Sequence, residues 1–458
     1  MPLLEQLFNE AQQLAAQGEL SEAEARYRQA LALAPDEPAL HTNLALLLAA
    51  QGQDEEAEQH QRTALSLLPD SPQIHSNLAD LLAKRGSFDE AERHYREAIR
   101  LAPEIATCRS NYGVLLNDLG RYAEAEASFR AALQQHPDHA PARMNLGQLL
   151  LAQGRYAEGW PYHEARYDNP FMQAWLAERK GARCQPWRGE PLAGKAVLVL
   201  PEQGYGDEIQ FCRYLPWLKA QGPARLTLVC RTPLKPLLST LNGPDEVFTR
   251  DEALTSIDDY DYWVYPLSLP LYHGTRLDNL PAAIPYLSPD PARLAHWLPQ
   301  LSRAGLRVGI AWQGNPSHHN DSDRSLPDWT PLAPLWSLPG IQFVSLQMPR
   351  ESQGSQLPPD YPVTELGSQV QDFADFAAIV SQLDLVICVD SALAHLSGAL
   401  GRPCWVLLPA YKTDWRWLFE RVDSPWYPTL RLFRQAQRGD WAAPVAHMVR
   451  ELSCLLAG

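Results

Sequence analysis

Long apolar runs are missing from this 458-residue chain. No stretch of about 18 uncharged apolar residues occurs, which excludes an ordinary membrane-spanning helix. The opening segment MPLLEQLFNEAQQLAAQG carries Glu5 and Glu10 where a secretion signal needs a basic end and an apolar stretch, so export is not expected. The seven cysteines, at 108, 184, 212, 230, 388, 404 and 454, include no C-x-x-C pair and make an odd total. That pattern suits neither a disulfide framework nor a zinc site, and a cytoplasmic, reducing setting is expected. The phosphate loop G-x-x-x-x-G-K-[ST] is absent, which argues against a nucleotide triphosphatase. Positive charge is also scarce. The net charge is −15, and residues 1–170 hold 25 acidic against 14 basic side chains. An acidic first third argues against nucleic acid as its partner and is compatible with a neutral or basic polypeptide.

What the chain does have is a period. Asn9, Asn43, Asn77, Asn111 and Asn145 are spaced by 34 residues, as are Gly18, Gly52, Gly86, Gly120 and Gly154. Pro35, Pro69, Pro103 and Pro137 keep the same step, as do Ala23, Ala57, Ala91 and Ala125, and Ala30, Ala64, Ala98 and Ala132. Leu14, Leu48, Leu82, Leu116 and Leu150 add an apolar position. In the unit Ser71 to Glu104, one apolar-periodic helix runs to Gly86 and a second from about Asp89 to Leu101, where Pro103 stops it. Glycine suits the reversal after the first helix, and proline cannot continue the second. The alanines let neighbouring helices approach, so stacked units bury one another.

These residues resemble the tetratricopeptide repeat family. Four full units and a degenerate fifth are expected over residues 1–170, the fifth having Gly159 for the family alanine, Pro161 inside its second helix and Phe171 for the closing proline. The resemblance implies that the first helices line a concave groove. There Asn9, Asn43, Asn77, Asn111 and Asn145 form a ladder able to bond an extended peptide, an amide being both donor and acceptor. The alternative is that each amide bonds adjacent turns of its own solenoid.

Beyond residue 170 the period ends, and proline and tryptophan become frequent. Residues 171–194 read as a linker. Short apolar runs then alternate with helical segments: AVLVLP, ARLTLVC, DEVFT and DYWVYP in the first series, and LRVGIAW, IQFVSLQ, DLVICVD and RPCWVLLP in the second. Alternation of this kind predicts two α/β lobes with parallel sheets, over 195–300 and 301–458, with a crevice at the carboxyl ends of the strands.

The segments EQGYGDEIQFCRYLP, GIAWQGNP with DRSLP, and DLVICVDSALAHLSGALGRPCWVLLP are similar to the family 9 glycosyltransferases, the heptosyltransferase group. That resemblance implies a GT-B fold of two Rossmann-like lobes and an inverting, metal-independent transfer from a nucleotide-sugar donor, with no other cofactor. It also implies roles for particular residues. Asp390 and Ser391 close a strand and open a helix, so the N–H groups of Ala392 and Leu393 would face a phosphate, and His395 would donate to the same diphosphate. Arg324, before Ser325-Leu326-Pro327, would stabilise the departing diphosphate. Asp207, after Gly204 and Gly206, would be the general base. As residues alone, Ser391 is a cap, His395 a buried histidine, Arg324 a loop arginine, and Asp207 an aspartate cap with Gln210 in a capping box. A carboxylate at a helix start is expected to have a lowered pKa.

Lys412 to Trp417 follows another strand, where Trp415 is a candidate for stacking on a sugar or base and Arg416 for phosphate, the alternative being packing. Gln313 and Gln347 close two further strands and are candidates for contact with the nucleotide. His318, His319, Asp321 and Asp323 fit no metal-ligand spacing, and Asp390, Ser391 and His395 lie too close in sequence to act as a hydrolytic triad. A non-catalytic repeat scaffold with a degenerate GT-B domain is the competing expectation.

Overall fold

The computed structural model describes residues 2–168, 183–254, 257–281, 283–301, 305–318, 320–349, 357 and 361–457. The chain forms two compact units, residues 1–149 and 150–458. His319 and residues 171–182, the first half of the expected linker, lie outside the described residues.

The first unit is a run of antiparallel helix pairs: α1 (Pro2–Gln17), α2 (Leu20–Leu33), α3 (Pro38–Ala50), α4 (Asp54–Leu67), α5 (Pro72–Lys84), α6 (Phe88–Leu101), α7 (Ala106–Asp118) and α8 (Tyr122–Gln135). A ninth helix, α9 (Ala140–Ala152), spans the boundary between units, and α10 (Tyr156–His163) lies in the second. The period has direct physical causes. Gly18, Gly52, Gly86, Gly120 and Gly154 all have φ between 73° and 84°, the left-handed turn that ends a helix and that glycine adopts without a Cβ clash. At Gly86 the reversal is closed by Gly86 N–H to Ala83 O (3.1 Å) and Ser87 N–H to Leu82 O (2.8 Å). The two alanine series are fully buried, and Leu48, Leu82, Leu116 and Leu150 are at most 1% exposed, so the conserved spacing is the packing seam.

Two of these pairs carry matched histidines. His41 Nε2 lies 2.8 Å from Pro35 O while its Nδ1 lies 2.9 Å from His60 Nδ1. His75 repeats this with Pro69 O and His94, both at 2.9 Å. A carbonyl only accepts, so His41 and His75 donate from Nε2. Burial, and next the facing imidazole, lower the pKa of His60 and His94 below the ordinary 6.5, against Glu56 and Glu90, which act to raise it. A histidine with a depressed folded pKa stabilises above its unfolded value, and that contribution is lost as pH falls. The helical signal of the intact protein is therefore expected to melt at lower temperature at pH 5 than at pH 7. The double variant His60→Gln, His94→Gln should flatten that dependence; an unchanged slope would dismiss the pairs as its source.

In the second unit, β1 (Gln185–Pro186), β2 (Ala196–Val199), β3 (Arg225–Cys230), β4 (Glu246–Thr249) and β5 (Tyr262–Val264) form a parallel sheet ordered β1-β5-β2-β3-β4. The stretch read as linker thus contributes an edge strand. The second sheet, β6 (Leu306–Ala311), β7 (Ile341–Ser345), β8 (Val363–Glu365), β9 (Leu385–Val389), β10 (Cys404–Leu408) and β11 (Leu430–Arg434), is parallel in the order β11-β10-β9-β6-β7-β8. Both faces are covered, as near-continuous apolar strands such as Leu385–Val389 require. This is the expected pair of α/β lobes. Each sheet reverses its winding once, between β2 and β5 and between β6 and β9, and ligand crevices form outside the strand ends at such points.

Candidate functional site

At the β6/β9 switch the chain leaves β9 through Asp390 and Ser391 into the helix Ala392–Ala399. Ser391 occupies the N-cap in an extended conformation, but its side chain makes no cap. Ala394 N–H donates to Ser391 O (3.1 Å), and the N–H groups of Ala392 and Leu393 stand ahead of that bond in the chain. His395 is 6% exposed, stacks on Trp417 at 5.4 Å and pairs through Nδ1 with the Tyr427 hydroxyl at 3.1 Å. Burial, reinforced by the Arg416 charge, lowers its pKa to about 3, so the imidazole is neutral near pH 7. Burial, with Asp414 adding to it and Arg324 opposing it, raises Asp390 to about 6.

At the β2/β5 switch, Gly204 caps the helix Tyr205–Phe211 and Asp207 is its third residue; Asp207 Oδ2 accepts from Gly204 N–H at 2.7 Å. The capping arrangement expected at Asp207 is thereby corrected: glycine is the cap, and Gln210 turns away to accept from Arg416 Nε at 2.6 Å. The expected lowering of the Asp207 pKa is corrected as well. Burial raises it, outweighing the opposing Arg416 charge and Gly204 N–H, because desolvation of a carboxylate exceeds what a single helix turn returns. Gly206 is needed for the approach of the lobes, since a Cβ there would lie 2.7 Å from His395 Cδ2.

Arg416, in the loop after β10, ties that loop to the β2/β5 switch point. Its guanidinium donates to Asp207 Oδ1, and from Nη1 to Asp414 at 2.9 and 3.0 Å. The expected phosphate contact at Arg416 is therefore met here by two carboxylates and an amide. Trp415 is corrected more plainly: it is 6% exposed, packed edge-on against Trp160 at 5.4 Å and Trp426 at 6.1 Å, and presents no face for stacking.

Arg324 ends the short helix Asp321–Arg324, with Nε 3.7 Å from Asp321 Oδ1 and no hydrogen-bond partner for that buried nitrogen. Gly314 lies against it; a Cβ there would come within 3.1 Å of Arg324 Nη2. Gln313 donates to Leu326 O (3.3 Å) and Pro327 O (3.0 Å), leaving Oε1 unpartnered. Gln347 instead accepts from the N–H groups of Trp312 (3.1 Å) and Gln313 (2.9 Å), so it shapes the end of β6. Asn320 ties this loop to the next by donating to Lys412 O at 2.9 Å, and its Oδ1 is also unpartnered.

Two features single out this place. Buried polar atoms are nearly always bonded, yet Gln313 Oε1, Asn320 Oδ1 and Arg324 Nε, in the stretch that follows β6, have no hydrogen-bond partner. The described non-glycine residues with positive φ, Gln203 (60°), Lys412 (55°), Leu418 (54°) and Glu420 (59°), lie in the loops after β2 and β10. Left-handed backbone at such residues costs about 1–3 kcal/mol each and tends to collect at functional sites. Asp414, Tyr427 and Asn320 were not singled out from the sequence. Asp414 shares the run with Arg416, whereas nothing local marks Tyr427 or Asn320.

The asparagine ladder lies in the first helices as expected, engaged to different degrees. Asn43 donates to Ala39 O (2.7 Å), Asn77 accepts from Gln73 (2.8 Å), and Asn111 donates to Asp80 at 3.3 Å, while Asn9 is exposed and Asn145 half-buried.

Comparison with known proteins accords with both halves. Sequence models of the tetratricopeptide repeat match residues 11–52, 36–104, 76–140 and 118–162, and the model of glycosyltransferase family 9 (heptosyltransferase) matches residues 364–408. The chain thus carries tetratricopeptide repeats followed by a region similar to family 9, the matched part running from β8 through the Asp390–His395 segment to β10. Protein FlbA of Caulobacter vibrioides is 29% identical over 320 residues, which are 64% of this chain and 52% of that protein. The chain spans about half the length of that curated relative. Among solved structures, TTC0263 of Thermus thermophilus, a thermophilic TPR protein, is 22% identical with a TM-score of 0.35, covering 39% of this chain and 97% of that one. YrrB, a TPR protein with an unusual peptide-binding site, is 23% identical with a TM-score of 0.28, covering 38% and 90%. No described helix is long and apolar enough to cross a membrane.

Proposed function

We propose that the second unit is an inverting glycosyltransferase that uses a nucleotide-sugar donor without a metal, and that the repeats recruit a polypeptide. The observation that carries the reading is the pair of neighbouring strand ends of β6 and β9, where Gln313 Oε1, Asn320 Oδ1 and Arg324 Nε are buried without a partner and Asp390-Ser391 opens a helix. A diphosphate placed there meets the first turn of Ala392–Ala399 and the Arg324 guanidinium. These supply fixed positive charge where the leaving group gains negative charge, a role otherwise filled by a divalent ion. Neutral His395 is already bonded at Nδ1 to Tyr427, so Nε2 is the nitrogen left to meet the donor. Asp207 removes the acceptor hydroxyl proton as that oxygen attacks the anomeric carbon; the bond to the diphosphate breaks on the opposite face, which inverts the centre. Its raised pKa makes it a better base than an ordinary aspartate. The first helices of the repeats, which carry Asn9, Asn43, Asn77, Asn111 and Asn145, face the recruited chain, with the Asn43, Asn77 and Asn111 amides already engaged inside the solenoid.

A thermal-shift panel of UDP, GDP, ADP and CMP sugars tests the reading. One nucleotide class should stabilise the protein, and Arg324→Ala should weaken it by about ten- to a hundredfold, the value of a charge-assisted hydrogen bond. No stabilisation by any member would refute the reading. Stabilisation without transfer to any acceptor would favour the non-catalytic scaffold.

A further inference from the structure

The helix α10 is a repeat helix by sequence and departs from its predecessors by structure. Where they carry a buried alanine it has Gly159, and a Cβ there would lie 2.8 Å from Leu151 Cδ2. Pro161 stands inside it. Its buried aromatic face is turned to the loop Tyr411–Glu420, not to a further repeat: Trp415 lies 5.4 Å from Trp160 and 6.3 Å from Tyr156, ring to ring. The same loop is fastened by Phe419 N–H to Ala152 O at 3.2 Å, one residue after Leu418, whose φ of 54° and ψ of 175° place it in a region suited to glycine. A leucine keeps such a conformation only when its surroundings hold it there.

The turn that follows α10 grips the opposite switch point. Arg166, buried, pairs with Glu202 and with Ser268, at 2.5 Å in each case. Glu202 immediately precedes Gln203 and Gly204, the residues that lead into Asp207. A single segment therefore touches both loops whose ends meet at the Arg416–Asp207 pair.

We propose that residues 150–168 are the positioning element of the candidate site, holding the strained loop Tyr411–Glu420 so that Arg416 pins Asp207. By this assignment the functional unit begins within the fifth repeat. Trp160 and Arg166 act through Arg416 and touch no substrate. What the pin is for rests on the transferase reading, whereas the holding of the loop does not.

Hydrogen exchange on the full-length protein separates the two. Trp160→Ala should speed exchange of the amides of 411–420 by about tenfold or more while leaving α1–α8 unchanged. Unchanged exchange in that loop overturns the proposal, whether or not any nucleotide binds. Should Trp160→Ala fail to fold, Trp160→Phe, which loses the Trp160 Nε1 bond to Thr275 O (3.0 Å) and part of the ring contacts with Trp415, Tyr156 and His163, is expected to show the same change at smaller size; no change there overturns it equally. If the wild type transfers sugar, the acidic limb of its pH profile should move to higher pH in the Trp160 variant, as Asp207 loses its cation. Reduced turnover with an unmoved limb would show a merely structural role and refute the pin. A wild type that binds no nucleotide sugar, yet shows the exchange change, refutes the transferase reading alone.

Discussion

Asp207→Asn is expected to lower the turnover of sugar transfer by about 10²- to 10⁴-fold, the worth of a positioned general base, while donor affinity stays as in the wild type. The substitution is nearly isosteric, and the amide oxygen can still accept from Gly204 N–H, bonded at 2.7 Å in the wild type. Arg416 keeps Asp414 and Gln210, so the loops stay in place. What disappears is the group that takes the proton. The pH dependence gives the second readout. A base works only when deprotonated, so activity falls as pH falls through its pKa. Burial raises that pKa and Arg416 opposes the rise; Arg416→Ala removes the opposing charge and should move the acidic limb to higher pH, with Asp207 intact. A turnover within about tenfold of wild type in Asp207→Asn would remove this residue from the chemistry.

The repeats were legible because the repeated glycines, prolines and alanines each have one cause that recurs in every unit. Glycine at the left-handed turn, proline after the second helix and alanine at the seam each follow from backbone geometry or close packing, and none depends on a distant partner. The strands with long apolar runs, such as β3, β9 and β10, were legible for the same reason. β1 and β8, two and three residues long, are too short to show a period and are strands only because β5 and β7 offer edges. The site divides in the same way. Glycines, the Asp-Ser strand end and Arg324 could be placed by motif and resemblance. The fate of Arg416 and Trp415 could not, because it depends on contacts across 209 residues to Asp207 and on an aromatic face supplied by α10. The direction of the Asp207 pKa was misjudged for a related reason: a helix start is visible in sequence, and burial by a second lobe is not.

Gly398→Ala should destabilise the second unit although alanine is the better helix former. In a helix interior that replacement ordinarily gains about 0.5–1 kcal/mol. Here a Cβ would lie 2.2 Å from Tyr427 Cδ1 and 2.4 Å from its Cγ. Tyr427 has nowhere to go. It is fully buried, its hydroxyl is bonded to His395 Nδ1 at 3.1 Å, and the Arg213 guanidinium lies 4.6 Å from its ring centroid. Overpacking of this kind costs about 1–3 kcal/mol, which exceeds the gain in propensity, so the melting temperature should fall by on the order of 2 °C. Movement of Tyr427 also frees His395, and nucleotide affinity should fall with stability. The double variant Gly398→Ala, Tyr427→Leu separates the effects. It restores room for the Cβ and recovers part of the melting temperature, but it cannot restore the bond to His395, so affinity stays low. A double variant that recovers neither would place the strain elsewhere than at Tyr427, and one that recovers both would detach His395 from the nucleotide.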